Sequence, residues 1–282
     1  MDFLLSGILL IRTMFRTIGF GGGGVKGILH IGALRELAKH QPLKFDGIYG
    51  CSVGSIIATY IAFDLPMEKI PFEYLNLDKF VPKFQFQHLS SALSSKGLYP
   101  MDVFETNIRE MFLKAGLDIK DKKIGDANMP LYIVASNITK GVPAIFSGDI
   151  SLIEALKCSC CIPGMFRPYE LYGQVYVDGV LFTPCIANIM PKDALALSLT
   201  KQRKRHITPS LIESMSPIAY LTDLHTMSSH LFHNACLTPN TLCMAYHGLH
   251  SDSDLSDFNV EDILNHSGKL LKDFLESYDS SS

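Results

Sequence analysis

The sequence predicts an α/β domain built on a mostly parallel sheet, and three stretches carry that reading. Two are strand–glycine–helix units between residues 15 and 62, and the third is a strand-like run that closes on a carboxylate at Asp178. In the first unit, the apolar residues 15–20 enter the loop Gly21-Gly22-Gly23-Gly24-Val25-Lys26-Gly27 and then a helical pattern over residues 28–40. Ile28, Ile31, Leu34, Leu37 and Ala38 recur there at helical spacing, so this helix has one face to bury. In the second unit, residues 45–49 read as a strand, Gly50-Cys51-Ser52-Val53-Gly54 as a sharp turn and residues 55–62 as a helix. Units of this kind lay strands in parallel and cover them with helices. The length agrees: 282 residues, 47% of them hydrophobic, suit one large domain with an ample core.

The chemistry concentrates at the two glycine turns. Ser52 sits between small residues at a strand-to-helix turn, the sequence form of a nucleophile elbow. Gly50 and Gly54 are required there because strand and helix pass close together. The turn also sets the serine at the positive end of a helix, where developing negative charge is favoured. In the first loop, four consecutive glycines leave backbone N–H groups uncovered at a helix N-terminus, which suits an anion. Gly22 to Gly27 also satisfies the dinucleotide fingerprint G-x-G-x-x-G. The acidic partner that fingerprint needs, Asp46, opens the second strand when it should close it. A P-loop fits worse, because Gly27 follows Lys26 where Ser or Thr is needed. The economical reading makes the loop an oxyanion hole facing Ser52.

An activated serine needs a base. None of the ten histidines stands in a context that singles it out, and His30, His40, His225, His230 and His233 read as surface or satisfied core residues. Asp178, in Val175-Tyr176-Val177-Asp178-Gly179-Val180, is the distinctive acid: a strand carries one carboxylate into a glycine turn. An ordinary Asp-Gly turn has the same local form.

Taken together, the glycine loop with Lys26 and Gly27, the Ser52 elbow and the pair Asp178-Gly179 resemble the patatin-like phospholipases. Ala155-Leu156-Lys157-Cys158-Ser159-Cys160-Cys161-Ile162-Pro163-Gly164-Met165-Phe166-Arg167-Pro168 is similar to that family's segment of small residues leading to a Pro-Gly-x-Phe-x-Pro turn. Asp257-Phe258-Asn259 before a last helix is similar to its C-terminal end. The resemblance implies a three-layer α/β/α fold and a Ser-Asp dyad without histidine. Ser52 is then the nucleophile and Asp178 the base. The amides of Gly22, Gly23 and Gly24 form the oxyanion hole, and Lys26 shapes or polarises the loop. It further implies hydrolysis of phospholipid or lysophospholipid acyl esters through an acyl-enzyme, with neither metal nor cofactor. Two positions depart from the family pattern: Gly21 where Asp is usual, and Val180 where Gly or Ala is usual. These leave room for a catalytically impaired lipid-binding relative. The same residues also admit a Ser-His-Asp α/β-hydrolase esterase or a nucleotide-binding module.

We divide the chain into an apolar N-terminal segment (1–16), a single patatin-like domain (17–276) and a flexible tail (277–282). A net charge of −3 gives no footprint for nucleic acid. Seven cysteines, an odd number, read as free thiols of a reducing, cytoplasmic compartment, and the Cys158, Cys160, Cys161 group lacks the second ligand pair of a metal site. Residues 3–11 are apolar but too short to span a bilayer, and they lack the charge and cleavage pattern of a secretory signal. Leu4, Ile8, Ile11 and Phe15 share one helical stripe, which packs on the sheet or lies in a membrane interface. The basic run 201–206 is a solvated loop or a peripheral contact with anionic headgroups. Residues 79–97 read as an irregular insertion, a lid or packing filler. Ser216-Pro217 opens a helix, Asp252, Asp254 and Asp257 form an acidic loop, and Val260, Ile263, Leu264, Ser267, Leu270, Leu271 and Phe274 form a final helical stripe.

Overall fold

A computed structural model describes residues 14–67, 70, 75, 96–200, 208–215, 217–250 and 252–280. The apolar residues 1–13, most of the 79–97 insertion, the basic run, Ser216 and the last two serines lie outside these.

The first two units form as the sequence predicts. β1 (Thr17–Phe20) leads through a 3-10 turn, Gly24–Gly27, into α1 (Ile28–Leu37), and β2 (Gly47–Cys51) leads through Ser52 into α2 (Val53–Ala62). α1 stops at Leu37, before the predicted end at His40. Gln41 turns back instead, accepting from the N–H groups of Met14 and Phe15 and donating to the Phe15 carbonyl, each at 3.0 Å. Phe15 is thereby buried, with its ring 5.2 Å from that of Tyr278, so this last member of the N-terminal stripe belongs to the core.

There follow β3 (Gly97–Tyr99), α3 (Asp102–Lys114), β4 (Leu131–Asn137), β5 (Val142–Phe146), α4 (Leu152–Cys160), β6 (Gly164–Phe166), β7 (Tyr169–Leu171), β8 (Gln174–Asp178) and β9 (Leu195–Leu199). The chain continues with α5 (Pro209–Ser214), α6 (Pro217–Ala235), β10 (Thr241–Met244) and α7 (Val260–Asp279). β10, β9, β1, β2 and β4 pair in parallel, in that order. β5 and β8 join β4 antiparallel and β7 extends β8, so the sheet is mixed at that side. Gly97, the last residue of the predicted irregular insertion, already pairs with Gly164 in a separate two-stranded sheet.

Alternation along the strands makes three layers. Ile18, Phe20, Ile48, Ile133, Leu195 and Leu197 point into the main core under α1, α2, α4 and α7. Cys51, Val134 and Ala196 point to the other face, covered by a 3-10 turn at Ile186–Ile189 and by Cys236 just past α6. The sheet is therefore mostly parallel and covered on both faces, the three-layer α/β/α arrangement that the sequence predicts.

α7 follows its predicted stripe, with Ile263, Leu264, Ser267, Leu271 and Leu275 buried, and Asn259 caps it by accepting from the Glu261 N–H at 3.1 Å. It runs to Asp279, so residues 277–279 of the predicted tail are helical, held where Tyr278 stacks on Phe274. α1 and α7 cross at Gly32. A Cβ there would lie 2.1 Å from Ser267 Oγ and 2.2 Å from the Leu264 carbonyl oxygen, so the crossing exists only with glycine. Gly32→Val is expected to cost about 3 kcal/mol or more through overpacking, read as a lower midpoint in urea unfolding. An unchanged midpoint would refute the close crossing.

Candidate active site

Strand register builds the site. β1 and β2 pair from Thr17↔Gly47 to Phe20↔Gly50, so the glycine loop and the Ser52 turn leave adjacent parallel strands at the same sheet edge. β2 then runs along β4 as far as Cys51↔Val134, and β8, coming from the opposite direction, pairs along the same edge of β4 up to Ala135↔Asp178. The C-terminal ends of β2 and β8 therefore meet head-on, one β4 residue apart. This brings together two side chains 126 positions apart: Ser52 Oγ donates to Asp178 Oδ2 at 2.6 Å. Both residues are buried, at 7% and 5% exposure.

Ser52 adopts φ 55°, ψ −129°, a backbone conformation that costs a non-glycine residue about 1–3 kcal/mol. Its surroundings hold it there. Its N–H donates to Ser159 Oγ at 2.9 Å, and Ser159 in turn donates to the Val134 carbonyl at 2.6 Å. Its carbonyl accepts from both the N–H and the hydroxyl of Ser55, at 2.8 and 2.6 Å. Gly54 lets the turn close, since a Cβ there would lie 2.1 Å from the Phe20 carbonyl oxygen. Gly50 lies similarly against Ser55, and Gly27 against Val53.

Asp178 is equally constrained. Its Oδ1 accepts from the Val180 N–H at 2.9 Å, its N–H donates to the Cys161 carbonyl at 2.8 Å, and its carbonyl accepts from Ser136 Oγ at 2.9 Å. Gly179 next to it packs against the Val134 carbonyl and Cys51 Sγ. The helix that carries Ser159 is itself anchored: Lys157, with its side chain 6% exposed, donates to Glu105 of α3 at 2.9 Å and lies over the Tyr169 ring at 4.4 Å. The thiols of Cys160 and Cys161 flank this region. Burial, reinforced by Asp178, raises both, Cys161 to about 12, so they are protonated packing groups.

The glycine loop faces the serine. At Gly22 a Cβ would lie 2.3 Å from Val180 Cγ2 and 2.8 Å from Ser52 Cβ, so Gly22 backbone and the Val180 side chain fill one space. The bulk of Val180 is thus accommodated by the bare glycine. The N–H groups of Gly22 and Gly23 find no acceptor among the described residues. Gly24, at φ 59°, starts the 3-10 turn. Lys26, buried, donates to the Thr200 carbonyl at 2.9 Å and so ties the loop to the end of β9.

Three of the described histidines have partners away from Ser52. His30 bonds the Gly21 carbonyl at 2.9 Å, His233 pairs with Ser198 Oγ at 2.7 Å, and His266 pairs with the Ala245 carbonyl at 2.9 Å. Asp46 sits at the start of β2 in an exposed ion pair with Arg16 at 2.5 Å, far along the strand from Ser52. Among the described residues no three His, Cys, Asp or Glu side chains cluster in a way that could hold a metal ion. Sequence reasoning missed Ser159, Ser136 and His30 as supports of the site. Ser159 lies inside the small-residue segment, but nothing local marks it out from its neighbours.

The chain is 27% identical over 179 residues to a probable lipid hydrolase of Invertebrate iridescent virus 6, covering 58% of this chain and 59% of that one. It is 28% identical over 158 residues to the cUMP-AMP-activated phospholipase of Escherichia coli, covering 54% and 42% respectively. The chain thus spans about half the length of the curated relatives it matches. Among solved structures, VipD from Legionella pneumophila superposes with a TM-score of 0.57 at 12% identity, covering 94% of this chain and 67% of that one, a likeness of fold. Residues 19–189 match the family described as patatin-like phospholipase, a span that runs from β1 past Asp178. The glycine loop, the serine turn and the aspartate all lie inside that match, and the chain belongs to the patatin-like phospholipase family.

Proposed function

We propose that this protein is a lipid acyl hydrolase that cleaves fatty-acyl esters of phospholipids or lysophospholipids with Ser52 and Asp178. The observation that carries this is the direct Ser52 Oγ–Asp178 Oδ2 hydrogen bond at a strained turn, beside glycine amides that have no acceptor among the described residues. The relatives named as lipid hydrolase and phospholipase support a lipid ester as substrate.

In the proposed reaction, Asp178 takes the proton of Ser52 as its oxygen attacks the ester carbonyl. The carbonyl oxygen becomes an oxyanion, held by the amides of Gly22, Gly23 and Gly24. Collapse breaks the ester bond, and the proton on Asp178 passes to the departing alkoxide, leaving an acyl-Ser52. A water then gives its proton to Asp178 and attacks the acyl carbonyl. The second collapse returns that proton to Ser52 and frees the fatty acid. Lys26, tied to Thr200, holds the loop's shape. The lipid reaches the site from a membrane surface that the protein contacts peripherally, through residues 1–16 or 201–206. Among the described residues no helix is long and apolar enough to cross a membrane.

The test is a fatty-acid release assay on phospholipid and lysophospholipid vesicles with divalent ions chelated, together with fluorophosphonate labelling. Release should persist under chelation, and the probe should map by peptide mass to Ser52. A probe adduct elsewhere, or no release from any acyl lipid, would refute the proposal.

A further inference from the structure

Among the described residues, His30 is the fully buried imidazole that touches the glycine loop, and the reaction above gives it no role. It lies in α1, edge-on to Phe20 with ring centroids 5.4 Å apart, and its Nε2 is 2.9 Å from the Gly21 carbonyl oxygen. A carbonyl oxygen only accepts, so Nε2 carries the proton. The second ring nitrogen, Nδ1, is buried without a partner among the described residues, which suits a bare lone pair and would strand an N–H. Burial pushes the imidazole down to about 4 against the opposing pull of the Gly21 bond, so the ring is neutral with its single proton on Nε2.

The consequence lies on the other end of the same peptide. Among the described residues there are no cis peptide bonds, and in a planar trans peptide the C=O of one residue and the N–H of the next point in opposite directions. The Gly21 N–H is already fixed on β9, donating to the Leu197 carbonyl at 2.9 Å. With the Gly21 carbonyl turned inward onto His30, the Gly22 N–H must turn away from α1. Gly22 is the residue whose missing Cβ would lie 2.8 Å from Ser52 Cβ, and its N–H has no acceptor among the described residues.

We propose that His30 is a positioning residue for the oxyanion hole: its Nε2–H holds the Gly21 carbonyl and thereby aims the Gly22 amide at the oxygen that becomes negative when Ser52 attacks. The inference rests on the acyl-transfer reading. A pre-aimed donor stabilises charge without reorganising during the reaction, which is the source of its catalytic effect. A loop of four glycines has no stiffness of its own to supply that aim. The histidine therefore serves the mechanism as a clamp and not as a base.

The test compares His30→Leu with His30→Gln, whose side-chain N–H can reach the same carbonyl. His30→Leu is expected to lower kcat by about 10- to 100-fold while KM stays within about threefold, and His30→Gln should recover to within about fivefold of wild type. A trifluoromethyl ketone lipid, which forms an oxyanion on Ser52, should lose affinity for His30→Leu by the same factor as kcat. An ether-linked lipid without a carbonyl should bind unchanged. Should the Leu variant not fold, nitrogen NMR of the wild-type imidazole decides: a proton on Nε2 at neutral pH is required, and a proton on Nδ1 overturns the proposal. Wild-type kcat in folded His30→Leu beside an inactive Ser52→Ala would overturn this inference alone. A fully active Ser52→Ala would remove the acyl-transfer reading and this inference with it.

Discussion

Asp178→Asn is expected to reduce kcat by about 10⁴-fold while leaving the protein folded, and Ser52→Ala to do the same. Asparagine matches aspartate in shape and still bonds the serine hydroxyl and its neighbours, but it cannot take a proton. The loss then reports basicity, not packing. Because Ser52 and Asp178 act as a unit across one 2.6 Å hydrogen bond, the double variant should be no slower than either single one. The measurement is fatty-acid release at saturating lipid, with circular dichroism to verify the fold. Turnover of Asp178→Asn within about tenfold of wild type would mean that another group accepts the proton, and a histidine would return as a candidate.

Gly22→Ala should be the most damaging single methyl in the site. The new Cβ would meet Val180 Cγ2 at 2.3 Å and Ser52 Cβ at 2.8 Å, so either the loop retreats or the nucleophile shifts. Loss of one aligned oxyanion donor costs about 10²- to 10³-fold in kcat, and that is the expected fall here. Adding Val180→Ala removes the first clash and leaves the second, so the double variant should regain about tenfold and no more. Steady-state kinetics of the three variants settle the point. A Gly22→Ala enzyme at wild-type rate would show that the loop does not lie against the serine.

The sequence is readable wherever a function depends on consecutive residues. The glycine loop, the Ser52 turn and the Asp178-Gly179 strand end each announce themselves in fewer than ten positions, and the stripe of α7 needs only its own period. What stays hidden is set by pairing over distance. Ser159 supports the Ser52 N–H from 107 positions away, and Ser136 holds the Asp178 carbonyl from 42 away. Serines of that kind carry no local signal, because their role is fixed by β4, against whose edge the ends of β2 and β8 are measured. The end of α1 escapes the sequence for a related reason: helical spacing continues through Ala38, but Gln41 is engaged by Met14 and Phe15. His30 reads as a core residue because it is one. The positioning role proposed for it comes into view only when the carbonyl it meets is known to be that of Gly21.

In the proposed reaction, the head-on meeting of β2 and β8 also sets the moment at which the chain can first act. The elbow and the glycine loop are complete by Gly54, yet Asp178, the proposed proton acceptor, is the last residue of β8, and it reaches Ser52 only after β8 has docked on β4. A ribosome that has released the first half of this chain has produced Ser52 without Asp178. The proposed pair is assembled in one late step, when the antiparallel strand closes the gap.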